Sequence, residues 1–263
     1  MRPDIAVVML TPACGMSCAF CVTEDFEPMD FEEAVALLRG LRERGILRLV
    51  LGGGEPFTWG HGTLALAARA KAMGFHVQVG TNGIDLPEGF ERLDSIDRYV
   101  LPLESTDPAV HDGLRVFSRS HHAIILDRLE RLRAAGKPVT VSTVVTRENI
   151  GDLPGLGRFL EAYRLGGGLL HAWHLYRFIP VGRGGGRHAE RLAVDEADFH
   201  RPCDALKEAG LGFPVYKRPD MYRSRTVGFY PAWKNPWAQG GIPPERCAPG
   251  LPGDGAGWNA NCS

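Results

Sequence analysis

The chain runs Ile5-Ala-Val-Val-Met-Leu-Thr-Pro-Ala-Cys-Gly-Met-Ser-Cys-Ala-Phe-Cys21 near its start, and this stretch decides the fold. Its first six residues are apolar, which is typical of a buried strand. Its last eight hold Cys14, Cys18 and Cys21 in the spacing C-x3-C-x2-C. Three thiolates on one tight loop hold three irons of a [4Fe–4S] cube, which normally takes four cysteines. We therefore expect a cluster with one open iron, where a small molecule binds and reacts.

Zinc, a disulfide and plain packing are the alternatives for these cysteines. A structural zinc site usually pairs two short Cys or His hooks, whereas the other three cysteines, Cys203, Cys247 and Cys262, are single and far apart. Disulfides belong to oxidising compartments, and the sequence has no apolar signal segment ahead of the strand. We therefore expect reduced thiols, an iron–sulfur cluster and a cytoplasmic location.

The composition is that of an ordinary globular protein. Of 263 residues, 44% are hydrophobic and 23% are charged, and the formal net charge is −1. This length suits one barrel-sized domain or two small ones. The balanced charge gives no indication of a nucleic-acid or anionic-membrane partner, and no apolar stretch approaches the length that a bilayer crossing needs. We expect neither kind of partner.

Strand-like and helix-like segments alternate along the chain. The predicted strands are 5–10, 47–51, 75–79, 99–103, 139–145 and 170–178, and the predicted helices between them are 31–41, 64–73, 87–93, 123–135 and 153–163. Asp30 is the expected N-cap of the first helix. The alternation predicts an α/β fold whose parallel sheet, with right-handed crossovers, is long enough to curl into most of a barrel.

The unusual segments all follow predicted strands. They are the cysteine loop, Gly52–Pro56, Gly80–Gly83, Glu104–Asp107 and Pro180–Gly186. Because active sites of such barrels lie at the carboxyl ends of the strands, we expect these segments to meet at one rim.

Three of these segments together resemble the radical S-adenosylmethionine superfamily. They are the cysteine loop with Phe20 before its last cysteine, Gly-Gly-Glu-Pro at 53–56, and Thr-Asn-Gly at 81–83. The resemblance covers about Ile5–Gly184 in the right order. It implies a partial (β/α)6 TIM-like barrel over residues 1–186, with a C-terminal extension at 187–263 that covers the barrel and is irregular.

The resemblance also implies the cofactors and the chemistry. The cofactors are a [4Fe–4S] cluster and S-adenosylmethionine, which chelates the open iron and is cleaved reductively. A 5′-deoxyadenosyl radical then abstracts a hydrogen from the substrate. The implied partners are a small-molecule or short-peptide substrate and an electron donor such as flavodoxin or ferredoxin. An under-ligated cluster of this kind is expected to be oxygen-sensitive.

Residue roles follow from the same resemblance. Cys14, Cys18 and Cys21 are the implied cluster ligands, and together with Glu55 they are the implied catalytic residues. Glu55 faces the amino group of the methionine moiety, as a charge-assisted hydrogen bond. The other residues implied at the cofactor are Phe20, Gly52, Gly53, Gly54, Pro56, Thr81, Asn82, Glu104, Ser105, Ser142, Ile179 and Val181.

Several of these assignments have a second interpretation. Phe20 packs near the adenine or steadies the loop as a core aromatic. Asn82 lines the cofactor pocket or simply forms an Asn-Gly turn. Ser142 and Thr143 face the cofactor or pack within the sheet.

The fourth strand departs from the family pattern. Pro102 stands where many members have a serine, and proline offers neither a hydroxyl nor an N–H group. The cofactor contact at this strand is therefore expected from Glu104 or Ser105.

Indications about the substrate are fewer. The segment His171–Gly184 resembles the branch that includes peptide-modifying enzymes, and His174 and Tyr176 are candidates for proton transfer. Gly182–Arg187 forms a cationic nest for a substrate anion or is an exposed mobile loop. A substrate-contacting or a capping and salt-bridging role is open for His111, Asp112 and Arg115.

The cysteine count limits the branch. Cys203, Cys247 and Cys262 do not form C-x2-C pairs, so we expect a compact member without a full auxiliary-cluster domain. The leading hypothesis is a biosynthetic or modifying radical enzyme. The alternative is a non-catalytic iron–sulfur redox or sensor protein on a barrel scaffold, which has no need of the Gly-Gly-Glu-Pro and Thr-Asn-Gly segments.

Overall fold

The computed structural model describes residues 4–220 and 227–231. Its strands are β1 (Ile5–Thr11), β2 (Arg48–Gly53), β3 (His76–Gly80), β4 (Arg98–Pro102), β5 (Val139–Val145), β6 (Leu170–Arg177), β7 (Val215–Arg218) and β8 (Val227–Pro231). They form one sheet in the order β7-β6-β5-β4-β3-β2-β1-β8. Each neighbouring pair is parallel.

Helices connect these strands. They are α1 (Phe31–Glu43), α2 (Thr63–Ala72), α3 (Pro108–Leu114), α4 (His121–Ala134), α5 (Leu153–Leu165), α6 (Gly182–Gly185), α7 (Ala189–Leu192) and α8 (Glu196–Glu208). Single 3₁₀ turns occur at Pro56–Thr58, Phe90–Arg92 and Ile150–Asp152. The helix predicted near 87–93 is only the second of these turns, which follows Gly89 in a left-handed conformation with φ 71°.

The prediction of a partial barrel is confirmed. The parallel sheet curls into a half-barrel, and its first six strands are the six that the sequence predicted. β7 extends the sheet beyond β6, and β8 pairs with β1 on the opposite edge. β8 was not predicted, because it lies in an aromatic and Gly/Pro-rich region without a strand pattern.

The two faces of the sheet have different environments. Ala6, Val8 and Leu10 of β1 are fully buried, as expected for the face that packs against helices. Val7 and Met9 alternate with them and are half-buried on the concave face. The described part of the core is therefore mainly the layer between the sheet and the helices.

The cysteine loop ends beside the strand from which it began, and α1 follows it directly. Met29 N–H donates to Leu10 O at 2.8 Å, so the loop returns to the strand it left. Asp30 then caps α1, as predicted, by accepting from Glu32 N–H at 2.8 Å. Glu33 accepts from Asp30 N–H at 3.1 Å and completes a capping box. Such a cap contributes about 1 kcal/mol.

The described residues beyond 186 contribute regular structure. α8 packs near α5, and Cys203 of α8 is fully buried in the core. Burial raises the pKa of the Cys203 thiol to about 12. The domain boundary at 186 and the irregular cover remain predictions. Cys247 and Cys262 lie outside the described residues.

Within the described ranges, no helix combines the length and the apolar character that spanning a bilayer requires.

Candidate active site

The cysteine loop is fixed by backbone contacts with the end of α3. Ser17 N–H donates to Val116 O at 3.0 Å, and Ala19 N–H donates to Leu114 O at 2.9 Å. Within the loop, Cys21 N–H donates to Cys18 O at 3.2 Å. These bonds hold the loop at the carboxyl edge of the sheet, directly after β1.

The three thiols share one electrostatic neighbourhood. Burial raises the pKa of the Cys18 thiol to about 11, while the Arg115 charge opposes this shift. Burial also raises the pKa of Cys14, and the charges of neighbouring thiolates add to the rise at both residues. The thiols of Cys14 and Cys18 thus resist ionisation in the absence of a cation, and a polynuclear cation beside them would stabilise their thiolate forms.

The donor set fits a cube rather than a single ion. Among the residues that the structure describes, no three His, Cys, Asp or Glu side chains converge on one metal position. In a [4Fe–4S] cluster each thiolate binds a different iron, so its ligands need not converge. The free and partly exposed thiols of Cys14, Cys18 and Cys21 meet that requirement.

Two glycines let the end of β2 approach the cysteine loop. Gly53 has φ 130°, and a Cβ there would lie 2.5 Å from Thr11 O. A Cβ on Gly54 would overlap the carbonyls of Pro12 and Ala13. Gly54 N–H donates to Thr11 O at 2.6 Å. The close approach in this structure is thus to the loop, and a contact of these glycines with methionine stays a prediction.

Gly52 does not share this constraint. A Cβ on Gly52 would meet the Val7 side chain at 3.7 Å, an ordinary contact. Its predicted place at the cofactor is neither supported nor opposed by its packing.

Glu55 is fully buried behind the loop. Its carboxylate accepts from Phe57 N–H at 3.1 Å, Thr81 Oγ1 at 2.8 Å and Asn82 N–H at 2.7 Å. Burial raises the pKa of Glu55 to about 7, and these three hydrogen bonds act in the opposite direction. Pro56 follows as the buried first residue of a 3₁₀ turn. The carboxylate is thereby held in one orientation.

The Thr-Asn-Gly segment connects Glu55 to the cysteines. Asn82 forms the expected turn, because its Oδ1 accepts from Ile84 N–H, and its Nδ2 also donates to Cys14 Sγ at 3.6 Å; its place in the cofactor pocket stays a prediction. Thr81 Oγ1 accepts from Gly83 N–H at 3.0 Å and so supports the same turn.

At the end of β4, Glu104 and Ser105 are both fully buried but serve different contacts. Glu104 accepts from Arg115 Nε at 2.7 Å and from Val144 N–H at 2.7 Å. Ser105 Oγ donates to Asp152 at 2.7 Å, on the side of α5. The geometry gives no support to a cofactor contact by Ser105, which stays a prediction.

The hydroxyl that the fourth strand lacks is present on its neighbour. Pro102 and Ser142 are register partners on β4 and β5. Ser142 is half-buried on the concave face, while Thr143 faces the other way and donates to Leu103 O at 2.5 Å. Ser142 is therefore the better placed of the two for the predicted cofactor contact.

Phe20 lies in a small core of its own. It is buried with Ala19, Leu114, Phe178 and Leu192 beneath the cysteine loop. This position matches the interpretation as a core aromatic that steadies the loop. Contact with adenine stays a prediction.

Ile179 and Val181 follow β6 on the same rim. Ile179 is buried, Val181 is half-buried, and Val181 N–H donates to Ile179 O at 2.9 Å in a tight turn. Their predicted contacts with adenine are not tested by this arrangement.

The glycine-rich segment after β6 is a support that the sequence interpretation missed. Gly184 and Gly185 N–H donate to Cys21 O at 3.0 and 3.2 Å, and Arg183 N–H donates to Thr23 O at 3.2 Å. A Cβ on Gly184 would overlap Cys18 O. The interpretation of Gly182–Arg187 as an exposed mobile loop is therefore wrong.

Comparisons with known proteins identify the family of this chain. The sequence profile of the Radical SAM superfamily matches residues 8–160. The AdoMet-dependent heme synthase of Nitratidesulfovibrio vulgaris is 26% identical over 228 residues, which are 81% of this chain and 59% of that protein. The PqqA peptide cyclase of Streptomyces rochei is 28% identical over 250 residues, which are 88% of this chain and 65% of that protein.

Solved structures share the fold. Streptococcus suis SuiB bound to S-adenosylmethionine superimposes with a TM-score of 0.68 at 16% identity, over 84% of this chain and 51% of that chain. The chain thus spans about three-fifths of the curated relatives. Because the matched profile covers more than half of the sequence, including the cysteine loop, Glu55 and Asn82, the chain belongs to the radical SAM superfamily, which uses a [4Fe–4S] cluster and S-adenosylmethionine.

Proposed function

We propose that this chain is a radical enzyme that removes a hydrogen atom from a small-molecule or short-peptide substrate. When bound, the cluster supplies one electron and S-adenosylmethionine supplies the 5′-deoxyadenosyl group that takes the hydrogen. Cys14, Cys18 and Cys21 are the residues that would hold the cluster.

One observation carries this proposal. Asn82 donates from its backbone to Glu55 at 2.7 Å and from its side chain to Cys14 Sγ at 3.6 Å. The acidic group proposed for the cofactor and the thiol proposed for the cluster are therefore joined through one residue. A simple electron carrier needs a cluster loop but no buried carboxylate fixed beside it.

Glu55 supplies the acceptor for the amino group of the cofactor. Three of its lone-pair directions are filled by protein donors, and an ionised carboxylate accepts about four hydrogen bonds. The remaining direction suits an amino group, whose positive character would favour the ionised carboxylate.

Side chains of β6 and β7 suggest that the substrate carries an anionic group. These strands form one end of the sheet, and β1 with the cysteine loop lies near the other end. His174 and Tyr176 of β6 lie beside Tyr216 and Arg218 of β7 on the concave face. The ring centres of His174 and Tyr216 lie 5.2 Å apart, and the guanidinium carbon of Arg218 lies 5.4 Å from the centre of the Tyr216 ring. Burial and the nearby Arg218 charge lower the pKa of His174 to about 3.

Arg218 would supply the positive charge that binds a carboxylate or phosphate of the substrate. His174 is neutral at pH 7, and its Nδ1 lies 3.4 Å from the Tyr176 hydroxyl. The positive charge among these side chains therefore comes from Arg218, at the carboxyl end of β7. A guanidinium binds a carboxylate or a phosphate through two parallel N–H···O bonds.

The relatives support the peptide class. The PqqA peptide cyclase is named for a peptide substrate, and SuiB has been solved bound to the precursor peptide SuiA. We include an electron donor such as flavodoxin or ferredoxin, a cytoplasmic location and oxygen sensitivity in the proposal.

The test is anaerobic reconstitution with iron and sulfide, reduction with dithionite, and assay for 5′-deoxyadenosine. Wild type should bind about four irons per chain and cleave S-adenosylmethionine. Cys18→Ala should lose both properties, because two remaining thiolates do not hold the cube.

Cys203→Ala is the matched control. Cys203 is a fully buried thiol on α8, outside the cysteine loop, so this variant should keep the iron and the cleavage activity. Reduced wild type that holds the cluster but never cleaves the cofactor would favour the redox or sensor alternative. Full iron in Cys18→Ala would refute the ligand assignment.

A further inference from the structure

Arg115 forms a buried ion pair beside the cysteine loop. Its Nε donates to Glu104 Oε1 at 2.7 Å, and the two side chains are 13% and 0% exposed. The other oxygen of Glu104 accepts from Val144 N–H at 2.7 Å. Since removing one partner leaves an uncompensated buried charge, this pair is costly to break.

The same guanidinium reaches a cluster cysteine. Arg115 Nη1 lies 3.8 Å from Cys18 Sγ, and the guanidinium carbon lies 5.0 Å from the centre of the Phe20 ring. The neighbours of Arg115 in sequence, Leu114 and Val116, are bonded to the loop backbone at 2.9 and 3.0 Å. Arg115 is therefore fixed from both sides, with a carboxylate at one end of the guanidinium and a sulfur at the other.

Two histidines tie this pair to Asn82, and their tautomers follow from the backbone. Glu104 N–H donates to His111 Nδ1 at 3.1 Å, so the proton of a neutral His111 is on Nε2. His111 Nε2–H then donates to His121 Nδ1 at 2.8 Å. His121 Nε2–H donates to Asn82 O at 2.7 Å. All four ring nitrogens have a partner.

These histidines stay neutral. Burial lowers the pKa of His111 to about 2 and that of His121 to about 4, and the Arg115 charge contributes to both shifts. The capping and salt-bridging interpretation of His111 and Arg115 is therefore the better one. Arg115 remains the cation of a continuous chain that runs from Cys14 through Asn82, the two histidines and Glu104 to Cys18.

We propose that Arg115, oriented by Glu104, is a positioning residue that raises the reduction potential of the cluster by donating to the Cys18 thiolate. This inference rests on the proposed function, since it presumes the cluster. Reduction adds one negative charge to the cluster, and a fixed cation against a ligand sulfur stabilises the reduced form more than the oxidised form. Glu104 acts with the opposite sign, because its carboxylate repels the added charge.

The experiment is a redox titration of the reconstituted protein, followed by electron paramagnetic resonance without S-adenosylmethionine. Arg115→Gln should lower the midpoint potential, and Glu104→Gln should raise it. In each variant the reduced-to-oxidised ratio at a fixed potential should change by about tenfold, equivalent to about 59 mV for one electron. Arg115→Lys keeps the charge and should recover most of the potential. The matched control is Arg119→Gln, an exposed arginine four residues further on, which should match wild type.

Opposite shifts in the two variants are the signature that a merely structural role does not produce. Arg115→Gln with full iron and a wild-type potential overturns the inference, and so do shifts of the same sign in both variants. If Arg115→Gln holds no iron, Glu104→Gln decides, since only an upward shift supports the inference. Wild type that takes up no iron sinks the proposed function and this inference together. If wild type holds the cluster but neither Arg115→Gln nor Glu104→Gln changes the midpoint potential, only this inference is refuted.

Discussion

The side-chain amide of Asn82 lies 3.6 Å from the sulfur of Cys14. The two residues are 68 positions apart in the sequence, and the carboxyl ends of β1 and β3 bring them together. The amide donates to sulfur, so it stabilises a thiolate at this position. The same residue makes the turn that carries its backbone N–H to Glu55.

Replacing Asn82 by aspartate should impair cluster assembly. Aspartate keeps the Oδ1 that accepts from Ile84 N–H, so the turn is retained. It replaces the donor to Cys14 by a negative charge, so the sulfur loses its hydrogen bond, at a cost of about 1–3 kcal/mol, and the thiolate is also repelled. We expect iron per chain after anaerobic reconstitution to fall to less than about half of wild type. Asn82→Ala loses the donor without adding the charge and should retain more iron than Asn82→Asp. Equal iron in Asn82→Asp and wild type would contradict this prediction.

Glu55→Gln should weaken S-adenosylmethionine binding and spare the cluster. The amide keeps the shape of the side chain but loses the charge, and a charge-assisted hydrogen bond contributes about 1.5–3 kcal/mol. That corresponds to an increase in Kd of roughly 10- to 100-fold. The measurement is a titration of reconstituted protein with S-adenosylmethionine. Loss of iron in this variant would show that Glu55 acts mainly on the loop.

The pKa of Glu55 makes cofactor affinity depend on pH. Burial raises this pKa to about 7, and the ionised form is the one that accepts from the amino group. Below pH 7 the carboxyl is protonated and accepts poorly, so affinity falls as the pH falls. Between pH 8 and pH 6 the Kd of wild type should increase about tenfold. Glu55→Gln should be nearly flat over this range, and a parallel slope in both proteins would assign the titration to another group.

Local patterns accounted for much of this fold and site. The apolar run of β1, the cysteine spacing and the two short Gly- and Asn-containing segments are each contained in a few residues. The rule that parallel strands end on one edge then brings Glu55, Asn82 and the cysteines together. No knowledge of side-chain packing was required for that step.

What the sequence did not reveal depends on distant contacts. Arg115 meets Cys18 across 97 positions, and only the docking of the α3 end on the loop brings them together. The pairing of β8 with β1 joins the two ends of the described chain. Gly182–Gly185 is similar, because a run of glycines indicates a flexible loop unless the backbone that it packs against is known.

That last segment supplies a test of the loop support. A Cβ on Gly184 would lie 2.8 Å from Cys21 N and would overlap Cys18 O, both of them backbone atoms of the loop. Gly184→Ala should therefore displace the loop, lowering the free energy of unfolding by about 1–3 kcal/mol and reducing iron uptake. Gly15→Ala is the matched control, since a Cβ on Gly15 meets nothing within 4 Å. It should change the free energy of unfolding by less than about 0.5 kcal/mol. Urea unfolding of the iron-free protein separates the two effects, and a Gly184→Ala variant as stable and as iron-rich as Gly15→Ala would mean that α6 does not hold the cysteine loop in place.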